Sequence, residues 1–205
     1  MNKGKKTEED SQQVMVFSRL RHNVDEMITV FILAMMIRSF VICPFKIPTG
    51  SMEPTLHGDR IHGDRIFAIR YPYYFRTPKR GEIVVFKTIN IPGHDGTKDF
   101  IKRLVGLPGE KLYIKDGRIY INDEIVDSPE IFKKLEYTFD RRIMRYGDPE
   151  NPIVIPKGHY FVLGDNTRNS SDGRFWGFVP VENFKGRAVL TFWPIWPRNR
   201  FTVLK

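Results

Sequence analysis

Three short stretches hold residue types that could do chemistry together. Residues 45–55, FKIPTGSMEPT, set one serine, Ser51, beside Gly50 in a run stiffened by Pro48 and Pro54. Glycine allows backbone angles that other residues avoid and lets another chain come close. The prolines fix φ on both sides, so the hydroxyl is presented rather than packed, although the same run would also serve as an ordinary turn. A nucleophilic serine needs a base. Histidine is the usual helper; of His57, His62, His94 and His159, only His94, next to Asp95 in a Gly-rich loop, has a neighbour that could orient it. Lysine is the alternative. With a free pKa of about 10.4, roughly one lysine in a few thousand is neutral at pH 7, so a lysine base must be desolvated.

The second stretch, DFIKRLVGLPGE at 99–110, contains such a lysine. In a strand alternate residues share a face, so Lys102 falls between Phe100 and Leu104, with Ile101, Arg103 and Val105 opposite. That placement suits either a desolvated base or an edge-strand lysine that guards against aggregation. The third stretch, LGDNTRNSSDGRFWGFVP at 163–180, is dense in Gly, Asp, Asn and Ser and then turns aromatic. Such a loop can satisfy its own backbone through Asx and Ser turns. It also offers Asp165 and Asp172 as partners for Arg103 and Arg174, and Ser170 and Ser171 as hydroxyl donors.

What must position these residues is a chain of 205 residues with a net charge of +9, long enough for one or two domains. The basic residues are scattered rather than blocked, which argues against nucleic acid as a partner and leaves an anionic membrane surface or an acidic partner. The single cysteine, Cys43, excludes an internal disulfide framework. Met27 to Phe45, MITVFILAMMIRSFVICPF, is about long enough to cross a hydrocarbon core of roughly 30 Å. Its one charge, Arg38, lies toward the C-terminal side, where a long side chain can snorkel. The bulky ICPF end is a poor signal-peptide cleavage site, and the near absence of polar positions argues against a buried core helix. Lys3, Lys5, Lys6, Arg19 and Arg21 precede the run and Lys46 alone follows it closely, which keeps the N-terminus in the cytoplasm. The expected organisation is a cytoplasmic tail at 1–24, a transmembrane helix at 25–44 and an extracytoplasmic domain at 45–205.

That domain reads as mostly β. Ile66–Ile69, Glu82–Lys87, Phe100–Val105, Lys111–Ile114, Arg118–Ile121, His159–Leu163 and Arg187–Phe192 are short β-branched and aromatic runs, separated by TPKRG, IPGHDG, LPGE, KDGR and IPKG turn signals. KDGR between KLYI and RIYIN predicts a hairpin, and a helical pattern survives only near Glu130–Leu135. HGDRI at 57–61 is repeated at once at 62–66; the pair reads as a small duplication that lengthens a loop. Trp193 and Trp196, interleaved with prolines in TFWPIWP, suit a membrane interface.

PFKIPTGSMEPTL, RGEIVVFK, IKRLVGLPGE and GDNTRNSSDGRFWGFVP, in this order after an N-terminal span, resemble the bacterial type I signal peptidases, membrane-anchored Ser-Lys proteases that remove signal peptides from exported proteins. The resemblance covers residues 38–196 in blocks and leaves 115–157 unmatched, within a variable inserted β-rich subdomain expected at 113–157. It implies an antiparallel β-sheet catalytic domain, Ser51 as nucleophile and Lys102 as general base. Thr49 and the Ser51 N–H would form the oxyanion hole, and Ser170 would orient the lysine. Asp165, Asp172, Arg103 and Arg174 would be the charged framework, while Phe45, Ile47, Met52, Val85 and Ile101 would line shallow apolar pockets for small residues one and three places before the cut. It implies no metal or cofactor. The expected partners are the signal peptides of exported preproteins, membrane lipids and the nearby export machinery. Two departures stand out: Thr167-Arg168 replaces the family's usual Arg-Asp after GDN, and the doubled HGDRI replaces a single Gly-Asp turn, so the strand after Ser51 should start late. Two other readings remain open, a Ser-Lys autoprotease of the repressor type and a non-catalytic membrane-anchored β module.

Overall fold

Runs of β-branched and aromatic residues, broken by glycine and proline, build two antiparallel sheets. The computed structural model describes residues 19–36, 42–70, 73, 76–94, 96–194 and 200–204. They belong to two units, Met1–Val41 and Ile42–Lys205. In chain order the second unit's strands are β1 (Ile42–Lys46), β2 (Arg65–Ile69), β3 (Ile83–Lys87), β4 (Asp99–Gly106), β5 (Lys111–Lys115), β6 (Arg118–Ile121), β7 (Glu124–Ile125), β8 (Ile153–Val154), β9 (His159–Leu163), β10 (Phe178–Pro180), β11 (Phe184–Trp193) and β12 (Thr202–Val203). The larger sheet has the order β1-β2-β11-β3-β4-β9-β10, with β12 on β11; the smaller has the order β7-β6-β5-β8. The chain is therefore mostly β, as expected. The small sheet interrupts the large one between β4 and β9, beginning at Lys111, slightly before the expected insert.

Local chemistry explains the turns. KDGR closes the β5–β6 hairpin with Asp116 and Gly117 at φ 49° and 78°, the two positive φ values that a tight primed turn demands. Tyr113 and Tyr120 face each other across that hairpin with ring centroids 4.8 Å apart. The helical pattern near Glu130 yields one turn, Ile131–Lys134. Ile47, Met52 and Leu56, from the serine stretch, bury among Ile66, Ile83, Val85, Ala188 and Leu204. The serine platform is thus anchored in the core of the large sheet.

The doubled HGDRI supplies the footing of that platform, and its two copies do different jobs. In the first, Asp59 caps its own loop, accepting from the Ile61 and His62 N–H groups at 2.7 and 2.6 Å. In the second, Asp64 is fully buried, 2.8 Å from Arg200 and accepting from the His57 N–H at 2.8 Å, and Arg65 then opens β2. β2 thus begins within the second copy. Both glycines lie against the platform backbone. A Cβ at Gly58 would come within 1.9 Å of the Thr49 carbonyl, and one at Gly63 within 2.0 Å of the Ile47 oxygen.

In the first unit, residues 19–36 are helical, with His22 and Glu26 paired one turn apart. From Met27 its large apolar side chains, including Phe31, Ile32 and Met36, are exposed. No helix among the described residues is long and apolar enough to cross a membrane. The span expected at 25–44 is corrected to that extent: Ile42, Cys43 and Pro44 pair with β2 as strand, and residues 37–41, Arg38 among them, lie outside the described residues. The tail expected at 1–24 falls outside them up to residue 18, as do Asp95 and Trp196.

Gly58→Ala tests the platform's footing. Overpacking of this kind costs about 2 kcal/mol, so the thermal midpoint should fall by roughly 4–8 °C. An unchanged midpoint would show that the contact with Thr49 relaxes freely.

Candidate active site

β4 delivers Lys102 and a single 3₁₀ turn, Gly50–Met52, delivers Ser51. The two meet at the floor of a cleft of about 330 Å³ lined by Phe45, Ile47, Thr49, Val85 and Ile101 as well as by the pair itself. Lys102 Nζ is 2.7 Å from Ser51 Oγ and donates to the Ile101 carbonyl at 3.1 Å. The lysine is only 4% exposed. Burial strips water from the ammonium and brings its pKa down to about 8; the Asp172 and Asp165 carboxylates oppose the shift. Among the described residues no histidine bonds Ser51. His94 instead packs edge-on against Phe100 and Trp176 with centroids 4.8 and 6.2 Å away, and burial followed by the Lys98 and Lys102 charges holds its pKa down.

The two carboxylates are occupied elsewhere. Asp165 takes a two-pronged contact from Arg103, at 2.8 and 2.6 Å, and the Thr55 hydroxyl at 2.5 Å. Asp172 takes the same fork from Arg174 at 2.9 Å on both prongs, plus the Gly164 N–H at 3.0 Å. Remaining guanidinium donors reach the carbonyls of Gly81, Thr138 and Thr167. Both pairs are buried and bidentate, the geometry in which arginine binds a carboxylate most firmly. They form with Thr167-Arg168 in place of the family's usual residues.

The serine turn carries two unspent donors. Thr49 precedes the 3₁₀ turn with an extended backbone, makes no capping bond and leaves its hydroxyl exposed in the cleft. Ser51 sits in the first positions of that turn, where an N–H lacks an intrahelical partner. Asn166, to which sequence reading gave no role, braces the other face: its side-chain amide donates to Gly50 O at 2.9 Å and its N–H to Ser51 O at 3.1 Å. Its signal was its place in the GDN run beside Asp165. Gly164 is needed for closeness, because a Cβ there would lie 2.1 Å from Ser170 Oγ and 2.5 Å from Ser51 O. Ser170 therefore sits beside the Ser51 backbone, its hydroxyl buried and without a hydrogen-bond partner among the described residues. It makes no hydrogen bond with Lys102 in this arrangement. Met52 lies in the core beneath the cleft rather than on its wall.

Two strand edges are open in the cleft. β1 is the last strand of its sheet, and β4 pairs with β9 only from Arg103 onward. Backbone groups alternate sides along a strand. Ile47 bonds toward Asp64 and Asp59, so residues 44, 46 and 48 face the cleft. Two of these are prolines without an N–H, which leaves Lys46 as the one donor among the three. Leu104 bonds toward Glu82 and Gly81, so Ile101 and Asp99 present their N–H and C=O groups across from Lys46. Val85 is paired on both sides, by β4 and β11; it forms floor, and an added strand can pair with β4 but not with the segment around Val85.

Residues 20–193 match the family described as signal peptidase, peptidase S26. A probable signal peptidase I-2 of Synechocystis sp. is 41% identical over 82% of this chain and 71% of that protein. The signal peptidase I of Pseudomonas aeruginosa is 34% identical over 85% of this chain and 72% of its own length. Among solved structures, a signal peptidase I from Enterococcus faecalis is 30% identical, covers 55% of this chain and 97% of that one, and superposes with a TM-score of 0.42.

Lys102 makes stability depend on pH in a defined direction. Its pKa of about 8 when folded lies below the ordinary 10.5, so the unfolded chain holds more protons between those values and stability rises with pH there. Below pH 8 the buried ammonium costs about 3 kcal/mol. Lys102→Met should therefore unfold at higher denaturant than wild type at pH 7, with the gap closing toward pH 10.5. A gap that does not change with pH would show that the lysine is not desolvated.

Proposed function

This chain belongs to the signal peptidase family, peptidase S26, and is a serine endopeptidase of the signal peptidase I type; on that premise we propose that it removes signal peptides from exported preproteins with a Ser51–Lys102 dyad. The observation that carries the reading is the 2.7 Å contact between a serine hydroxyl and a buried lysine whose pKa lies near 8. Near that pH a large share of Lys102 is neutral and holds a lone pair toward Ser51.

The steps follow from the groups present. Neutral Lys102 Nζ takes the Ser51 proton as Oγ attacks the scissile carbonyl. The oxyanion is met by the Thr49 hydroxyl and the Ser51 N–H, donors worth roughly 3 kcal/mol each in such a site. Lys102, now an ammonium, protonates the leaving amine, and an ester links Ser51 to the signal peptide. Lys102 then takes a proton from water, the resulting hydroxide attacks the ester, and Ser51 Oγ leaves with the proton returned from Lys102. Ser170 Oγ has no hydrogen-bond partner among the described residues, and a rotation of that hydroxyl toward Lys102 would fix the amine's direction. Arg103–Asp165 and Arg174–Asp172 act as framework, keeping two nearby carboxylates from holding the lysine charged.

The substrate lies extended between the open edges of β1 and β4, bonded by Lys46, Ile101 and Asp99. β1 and β4 run parallel, both toward the dyad, so residues before the cut thread from Phe45 toward Ser51. Their alternate side chains meet the apolar floor of Ile47, Val85 and Ile101, which has room for small residues, and so supports cleavage after Ala-X-Ala. Anchoring falls to the apolar run that opens at Met27, whose described side chains are apolar apart from Thr29 and exposed. The positive flank before it supports a cytoplasmic N-terminus and a catalytic domain on the outer side of the cytoplasmic membrane. Trp193, exposed beneath Arg65, suits the lipid interface.

The test is a preprotein with an Ala-X-Ala junction, presented in detergent to wild type, Ser51→Ala and Lys102→Met. Wild type alone should cut at that junction, with each variant slower by at least about a thousandfold. Cutting by Lys102→Met at wild-type rate would remove the lysine from the mechanism.

A further inference from the structure

The face that forms the apolar floor does not end with it. Val85 pairs with Ile101 across β3 and β4, and the next pair on the same face is Lys87 with Asp99. Lys185, at a bulge in β11, closes this rung: its Nζ lies 2.7 and 2.8 Å from the two Asp99 oxygens and 5.7 Å from the Phe45 ring. Lys87 is half-buried and makes no ion pair with any described residue. Past the rung, a second cavity of about 440 Å³ takes in Lys87, Lys185 and Arg70. The cleft thus passes from apolar to net cationic within one strand repeat.

We propose that Asp99, Lys185 and Lys87 form a third, charged subsite that reads the substrate residue five places before the cut. The proposal rests on the extended binding described above. Alternate residues of a strand repeat at roughly 6.7 Å on one face, so if the residues one and three before the cut fill the apolar floor, the fifth lies over Asp99. A large apolar side chain there would cover an ion pair that is now half in water, and covered ions lose hydration that their partners only partly replace. Two lysines against one aspartate favour an acidic side chain over a basic one. The subsite therefore marks where the apolar segment of a signal peptide must have ended.

The test uses the full chain in detergent and preproteins that differ only five residues before an Ala-X-Ala junction, with Ser, Leu, Glu or Lys there. Wild type should favour Glu over Lys, and Ser over Leu, by about threefold to fivefold in kcat/KM, mostly through KM. The Glu-over-Lys ratio should shrink in high salt. Lys185→Met and Lys87→Met should each lower that ratio, while Asp99→Asn should raise it. These opposite shifts are beyond a merely structural effect, and each ratio is taken within one protein, so a loss of folded fraction cancels. Equal rates for all four preproteins, with cutting intact, overturn the subsite alone. Failure of wild type to cut any of them overturns the reading of the cleft and the subsite with it.

Discussion

An ammonium that gives up its water is the constraint on which this site turns. Lys102 is placed by strand alternation among Phe100 and Leu104, and among the described residues its Nζ hydrogen-bonds only a hydroxyl and a carbonyl. A single free carboxylate at that distance would return the proton and silence the base. Asp172 and Asp165 both act on Lys102 electrostatically, in the direction that keeps it charged. Each is held instead by a two-pronged arginine, and the guanidiniums are in turn tied to backbone carbonyls. The charged framework thus neutralises itself, and the lysine is left with burial as the dominant influence. Breaking either arginine fork would unfix a buried carboxylate, with consequences for the base as well as for stability.

The second constraint is an unfinished sheet. β1 and the first half of β4 leave open edges on either side of a cleft, and an extended substrate can complete both. Open edges invite aggregation. Here Pro44 and Pro48 remove donors from one edge, which blunts it toward foreign strands while leaving Lys46 for a substrate. The platform that holds Ser51 at the end of this cleft is fixed from several directions at once: Met52 and Leu56 in the core, Asn166 on two carbonyls, and both glycines of the HGDRI pair pressed against its backbone. Arg200 reaches Asp64 from near the C-terminus, so the footing draws on residues distant in the chain.

Much of the architecture was legible in the sequence because it is local. The β-branched runs from β2 to β6, β9 and β11 follow alternation and turn chemistry, and KDGR needed no tertiary information to be read as a hairpin. The meeting of Ser51 with Lys102 was legible only through four blocks in order, since composition and spacing left the lysine as plausible on an edge as in a site. β1 was missed because its apolar residues continue the run that reads as a span. Asn166, the clamp on Asp64 and the Lys185–Asp99 rung were missed for another reason: each joins segments separated by between 86 and 136 positions, and no local pattern announces such a partner. The doubled HGDRI was legible as a duplication but not as a division of labour, which depends on which copy the buried core accepts.

Catalysis by this dyad turns on the protonation of one nitrogen. The most direct measurement is a titration of Lys102 itself by ¹³C NMR of its ε-carbon, assigned by the signal missing from Lys102→Met. A midpoint near pH 8 is the result this account predicts. A midpoint at the ordinary value of about 10.4 would mean the lysine stays charged beside Ser51 and cannot serve as its base.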